Sequence, residues 1–168
     1  MKWVLFTGTW RLTNARVESD VRNSVREVIA RGDGVLTGGA TGVDYFAMDE
    51  AAKIDPTFSK LMVIIPANLE SYIEDTRANG CLPPVTMNDV NNLAELLRRM
   101  KKTNPKHLVE MPYDTITQEH YDLRDTEEVR LSNELYAFQV NGSTGTQDTI
   151  TKAVRYGVKV GLHEQYRI

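Results

Sequence analysis

Three short segments of the 168-residue chain combine glycine with small hydroxyl-bearing residues: Thr7-Gly8-Thr9, Thr37-Gly38-Gly39-Ala40-Thr41-Gly42 and Asn141-Gly142-Ser143-Thr144-Gly145-Thr146. The chemistry such segments support is anion binding. Glycine lets backbone N–H groups come close to an anion, and a helix starting just beyond adds the positive end of its dipole. Threonine and serine hydroxyls supply further donors without bulk. Thr41 with Asp44, and Thr144 with Gln147, have capping-box spacing, so helices are expected to start directly after the second and third segments. No G-x-G-x-x-G follows a strand and no G-x-x-x-x-G-K-[ST] occurs, which argues against a dinucleotide dehydrogenase or a P-loop nucleoside triphosphatase. Taken singly, each segment reads first as a tight turn.

What changes that reading is where the segments stand. Five apolar runs, Trp3–Phe6, Gly34–Thr37, Leu61–Pro66, Leu135–Val140 and Val158–Leu162, mostly lack polar alternation, as strands buried on both faces of a parallel sheet do. Helical stripes lie between them: Val17, Val21, Val25, Val28 and Ile29, closed by Gly32; Val43, Phe46, Ala47 and Ala51; Val90, Leu93, Leu97 and Met100; and Ile150, Ala153 and Val154, stopping at Gly157. This alternation predicts an α/β, Rossmann-like three-layer sandwich with a five-stranded, mainly parallel sheet in the order 3-2-1-4-5. Residues 67–118 carry Pro83, Pro84, Pro105 and Pro112 and one clear helix near Asn88–Lys102, and read as a helical insertion between the third and fourth of these strands, within a single domain spanning 1–168. Ligands of open α/β sheets sit beyond the carboxyl ends of the strands where strand order reverses. The three glycine segments follow the first, second and fourth strands, the ones that would flank that point.

Composition narrows the class. Twenty basic against 23 acidic residues give a net charge of −3, and 41% of residues are hydrophobic, as in an ordinary soluble globular protein. No run approaches the roughly 20 apolar residues that span a bilayer, and the first residues lack the layout of a signal peptide. The lone Cys81 cannot form an intramolecular disulfide, so a cytoplasmic location is expected and an inert thiol is the default. His107, His120 and His163 are scattered without ligand spacing, so no metal and no cofactor is expected. Mild acidity places nucleic acid last among possible partners.

The segment from Thr37 to Asp44, followed by Ala47 and Ala51, resembles the "GGAxGxD…A…A" stretch of the SLOG superfamily, Rossmann-like relatives of DNA-processing protein A and of the lonely-guy phosphoribohydrolases. The stretch Arg124-Asp125-Thr126, Leu135-Tyr136-Ala137-Phe138 and Ser143-Thr144-Gly145-Thr146-Gln147-Asp148-Thr149-Ile150 with Ala153 is similar to the small stand-alone, YspA-like branch. The resemblance implies a nucleotide or nucleotide-derived ligand, including cyclic nucleotide signals. Gly8, Gly39, Gly42 and Asp44 would then shape one side of the pocket. Ser143, Thr144, Gly145 and Thr146 would form the phosphate-binding loop, and Arg124 would neutralise the phosphate. Arg11 and Trp10 in the first loop would assist, as a cation and as a stacking platform for the base. A homodimer is also implied, with Tyr45 and Met48 as exposed apolar candidates on the helix after the second loop.

The alternative is an N-glycosidic hydrolase or transferase acting on nucleoside monophosphates. The phosphoribohydrolases carry a glutamate where this chain has Thr149, which serves poorly to stabilise an oxocarbenium-like state or to activate water. Of the other acids, Asp44 also fits a capping role and Asp148 a helix-terminal charge; Glu119, Asp122 and Asp125 lie near Arg124, and Asp125, Glu127 and Glu128 read as an acidic first helical turn. Single-stranded DNA binding is the third reading.

Overall fold

The computed structural model describes residues 1–168. Its strands are β1 (Trp3–Gly8), β2 (Gly34–Thr37), β3 (Leu61–Ile65), β4 (Leu108–Glu110), β5 (Glu134–Val140) and β6 (Lys159–Tyr166). They form one sheet in the order β4-β3-β2-β1-β5-β6, and every neighbouring pair is parallel. The helices are α1 (Ala15–Ala30), α2 (Val43–Ile54), α3 (Leu69–Asn79), α4 (Met87–Thr103), α5 (Gln118–Leu131) and α6 (Thr144–Arg155).

Alternation along the strands builds both layers. Val4 and Phe6, Val63 and Ile65, and Phe138 and Val140 join the larger apolar cluster with α1, α2, α3 and α4. Leu5, Ile64, Leu135 and Ala137 face the other way, against Val129 of α5 and Ile150 and Ala153 of α6. Gly32 and Gly157 close Schellman motifs: Asp33 N donates to Val28 O and Gly32 N to Ile29 O, and Val158 N donates to Ala153 O and Gly157 N to Val154 O.

The sheet has six strands rather than five. The extra strand, β4, lies within residues 67–118 and pairs with β3, Val63 opposite Leu108 and Ile65 opposite Glu110. Three residues between Pro105 and Pro112, with Leu108 alone buried, leave no apolar run to find. The same stretch carries α3 as well as the expected α4. Val154, read as part of the apolar stripe of α6, is 65% exposed, since only Ile150 and Ala153 of that stripe meet the sheet.

Candidate functional site

The glycine loops follow β1, β2 and β5, which are adjacent in the sheet, so all three meet at its carboxyl edge. Thr7 and Gly8 end β1 opposite Ala137 and Phe138 of β5. A side chain at Gly8 would overlap Val43, so that glycine seats α2 against β1. Loops one and two are joined: Val43 N donates to Thr9 O at 3.0 Å, and the Thr41 hydroxyl donates to Trp10 O at 2.7 Å. Gly42 lies where any Cβ would strike the Thr9 carbonyl and the Trp10 backbone, and its φ of 73° compounds the demand for glycine.

The Thr41–Asp44 capping box is not formed. Gly42 is the N-cap of α2, because Thr41 turns its hydroxyl to Trp10 instead. Asp44 is buried and accepts from Ala40 N at 3.2 Å. Desolvation pushes its carboxyl up to about 6, against the pull of Arg124. Gly39 N donates to Thr37 Oγ1 at 3.3 Å, and Gly39 O accepts from the buried Tyr72 hydroxyl at 2.9 Å, so both backbone groups of Gly39 are engaged within the protein.

Arg124 does not present a free guanidinium at the rim. It is 9% exposed, and its Nη1 donates to the Gly38 carbonyl while Nε donates to Asp125 Oδ1 at 2.8 Å. The guanidinium also lies over the Tyr121 ring, 5.5 Å from its centroid. Glu128, one turn along α5, is 4% exposed. Its Oε1 is 3.3 Å from Arg124 Nε, but that N–H is directed at Asp125, so Oε1 has no hydrogen bond. Burial drives the Glu128 carboxyl well above its usual range. A Cβ on Gly38 would strike both Arg124 Nη1 and Glu128 Oε1, so Gly38 is what admits the pair.

The third loop is arranged differently. Asn141 and Gly142, with φ of 49° and 64°, form a turn closed by Ser143 N donating to Val140 O at 3.0 Å. The Asn141 side chain is tied to Ile168 through two hydrogen bonds. Ser143, not Thr144, is the N-cap of α6, and it makes no side-chain cap bond. The expected box with Gln147 is absent because the Gln147 amide accepts from Gln139 Nε2, at 3.4 Å. No acidic residue stands in the first turn. Thr144 and Gly145 are exposed, whereas Thr146 is 2% exposed and its Oγ1 has no hydrogen-bond partner.

The peripheral candidates are placed as follows. Trp10 is 40% exposed beside the first loop, and Arg11 Nε donates to Pro83 O at 2.6 Å, linking that loop to the segment before α4. Asp148 is exposed on α6, and the buried Thr149 hydroxyl donates to Gly145 O at 3.2 Å. Met48 is fully buried in the core and Tyr45 half-buried against it, so α2 does not offer the apolar dimer surface expected of it. A cavity of about 400 Å³ lies away from the loops, lined by residues at the ends of α5 and α6 such as Ser132 and Tyr156.

Sequence reasoning placed Glu128 in an acidic first turn, whereas α5 starts at Gln118 and Glu128 lies buried toward its other end; it missed Tyr72 altogether. Arg124 and Glu128 stand at i and i+4, a spacing that signals an ion pair on one helix face. Nothing in the sequence marks Tyr72.

The chain aligns structurally with DNA processing protein A from Helicobacter pylori, a protein described for its single-stranded DNA binding mode. The TM-score is 0.67 at 19% identity, over 95% of this chain. The fold is that of DNA-processing protein A. The protein of that name from Streptococcus pneumoniae aligns with a TM-score of 0.50 at 12% identity, over 95% of this chain. The chain spans only 63% and 58% of those two proteins. TM1055, a structural-genomics target, aligns at 0.53 and 14% identity, over 94% of this chain and 71% of its own. No family model matches the sequence, and no match was found among curated protein sequences.

Proposed function

We propose that the protein is a nucleotide-binding module of the SLOG type, with the phosphate of its ligand seated on the amino end of α6. One observation carries this reading: the buried Thr146 hydroxyl without a partner, in the first turn of a helix that lacks both a side-chain cap and an acidic residue. A phosphate there would receive the free N–H groups of the first turn and the hydroxyl together. On this reading the second loop is a scaffold rather than the phosphate seat: Gly39 N, Ala40 N and the Thr41 hydroxyl are already engaged within the protein, and the loop holds Asp44 and the first loop in place.

The reading gives Thr146→Val two effects of opposite sign. Without ligand, valine removes an unsatisfied buried polar atom of about 1–3 kcal/mol, so the thermal midpoint should stay level or rise. With AMP as the probe, the lost charge-assisted bond should weaken binding about tenfold or more by calorimetry. A variant that binds AMP as tightly as the native chain would show the phosphate to be elsewhere.

Nucleic acid, placed last on charge alone, becomes the second reading, because the fold is shared with a protein whose single-stranded DNA binding has been described. The exposed Trp10 beside the first loop supplies a stacking surface for it. Oligo-dT should quench Trp10 fluorescence and AMP should displace it if both use this edge; quenching that AMP leaves untouched would assign DNA to a different surface. Cleavage at an N-glycosidic bond rests on Asp44, whose carboxyl at about 6 suits proton transfer near neutrality. Incubation with nucleoside monophosphates should then release free base, and Asp44→Asn should abolish the release.

A further inference from the structure

We propose that Glu128 is a positioning residue for the glycine loops: it is held as a neutral carboxylic acid so that Arg124 stays on the Gly38 carbonyl. One buried guanidinium, Arg124, is faced by three carboxyls: Asp125 and Glu128 on α5 and Asp44 on α2. The other titratable groups around Arg124 and Glu128 are Tyr72 on α3, Tyr121 on α5, whose ring lies under Arg124, and Lys152 on α6. Lys152 Nζ donates to Asp122 O and makes no hydrogen bond to Glu128. Three ionised carboxyls would therefore leave excess negative charge in a buried cluster, which is costly unless a proton is retained.

Geometry selects which carboxyl keeps that proton. Asp125 receives the Arg124 Nε bond and is a quarter exposed, and Asp44 receives the Ala40 N–H. Glu128 Oε1 receives nothing and is shut off from water. If Glu128 ionised, it would draw the guanidinium toward itself and off the Gly38 carbonyl, since an anion competes better than a neutral acceptor for the same donors. The second loop would lose its tie to α5. Thr41 would carry the displacement to Trp10 and the first loop through its 2.7 Å bond. Neutral Glu128 fills the space beside Gly38 without making that claim on Arg124.

The positioning is read in the ligand-free protein; only its consequence for binding rests on the proposed nucleotide site. Carbon-detected NMR of the native chain should show the Glu128 Cδ at the chemical shift of a protonated carboxyl at pH 7, and the Gly38 carbonyl shift should move as Glu128 ionises at higher pH. Glu128→Gln should abolish that alkaline transition while leaving the separate acid-side transition of Asp44 in the Ala40 amide. A Glu128 Cδ already at the carboxylate position at pH 7, or an alkaline transition that survives in Glu128→Gln, would overturn the proposal. AMP affinity should be lost across the same pH range in the native chain and not in the variant. Affinity that ignores an intact NMR transition supports the positioning role and removes the nucleotide reading instead.

Discussion

Arg124→Ala should lower the stability of the fold by about 3–5 kcal/mol, the usual cost of removing one member of a buried ion pair. The reason is what remains behind. Asp125 and Asp44 would lose the cation that favours their charged forms, and the Gly38 carbonyl would lose its donor. For a chain of this length that corresponds to a fall of about 10 °C or more in the thermal midpoint. Urea denaturation at pH 7 checks it, with the slope expected to stay constant and the midpoint to fall. Arg124→Lys should recover little. An ammonium cannot reach Asp125 and Gly38 together in the planar fork that the guanidinium provides. Had Arg124 been a rim residue awaiting a phosphate, the alanine variant would melt like the native chain and fail only in binding. That outcome would contradict the burial and the contacts of this side chain.

The same helix shows where sequence reading succeeds and where it stops. Runs such as Trp3–Phe6 and Leu61–Pro66 announce β1 and β3 because strands covered on both faces need apolar residues at every position. The stripe of Val17, Val21, Val25 and Val28 announces α1 for the corresponding helical reason. Hydrophobic periodicity is blind to α5, since its buried face consists of Arg124, Glu128 and Val129 and offers one apolar residue. Resemblance placed Arg124 on a helix near the loops, and that placement is compatible with the structure. It could not tell whether the guanidinium pointed at solvent or at Gly38, because that depends on a missing Cβ two strands away in sequence. The loops themselves were legible as a group. Their division of labour was not: second and third loops have similar composition, yet one is closed by Asp44 and Tyr72, while the other leaves Thr144 and Gly145 exposed and the buried Thr146 hydroxyl without a partner.

Asp44→Asn should stabilise the protein at pH 8 and leave it nearly unchanged near pH 4. The folded-state carboxyl sits at about 6, against an ordinary value of 3.8. A group raised in this way contributes stability that is fully present below pH 3.8 and lost as pH rises through about 6. Two units correspond to about 3 kcal/mol, so that much is lost between pH 4 and 8. Glu128, also raised by burial, adds a loss in the same direction. Carboxyls held low act oppositely: Asp55, down to about 2 under its bonds to Ser59 and Thr57, and Asp49 and Glu134 beside their cations, add stability that disappears in acid. The two groups together place the stability maximum on the mildly acidic side of neutrality, between about 4 and 6. Asparagine keeps an acceptor for Ala40 N and carries no charge, so it should reproduce the protonated state at every pH. Thermal midpoints measured from pH 4 to 9 should converge for the two proteins in acid and separate in favour of the variant in alkali. A variant that is instead less stable at pH 8 would mean that the ionised carboxylate holds the Ala40 loop more strongly than burial opposes it.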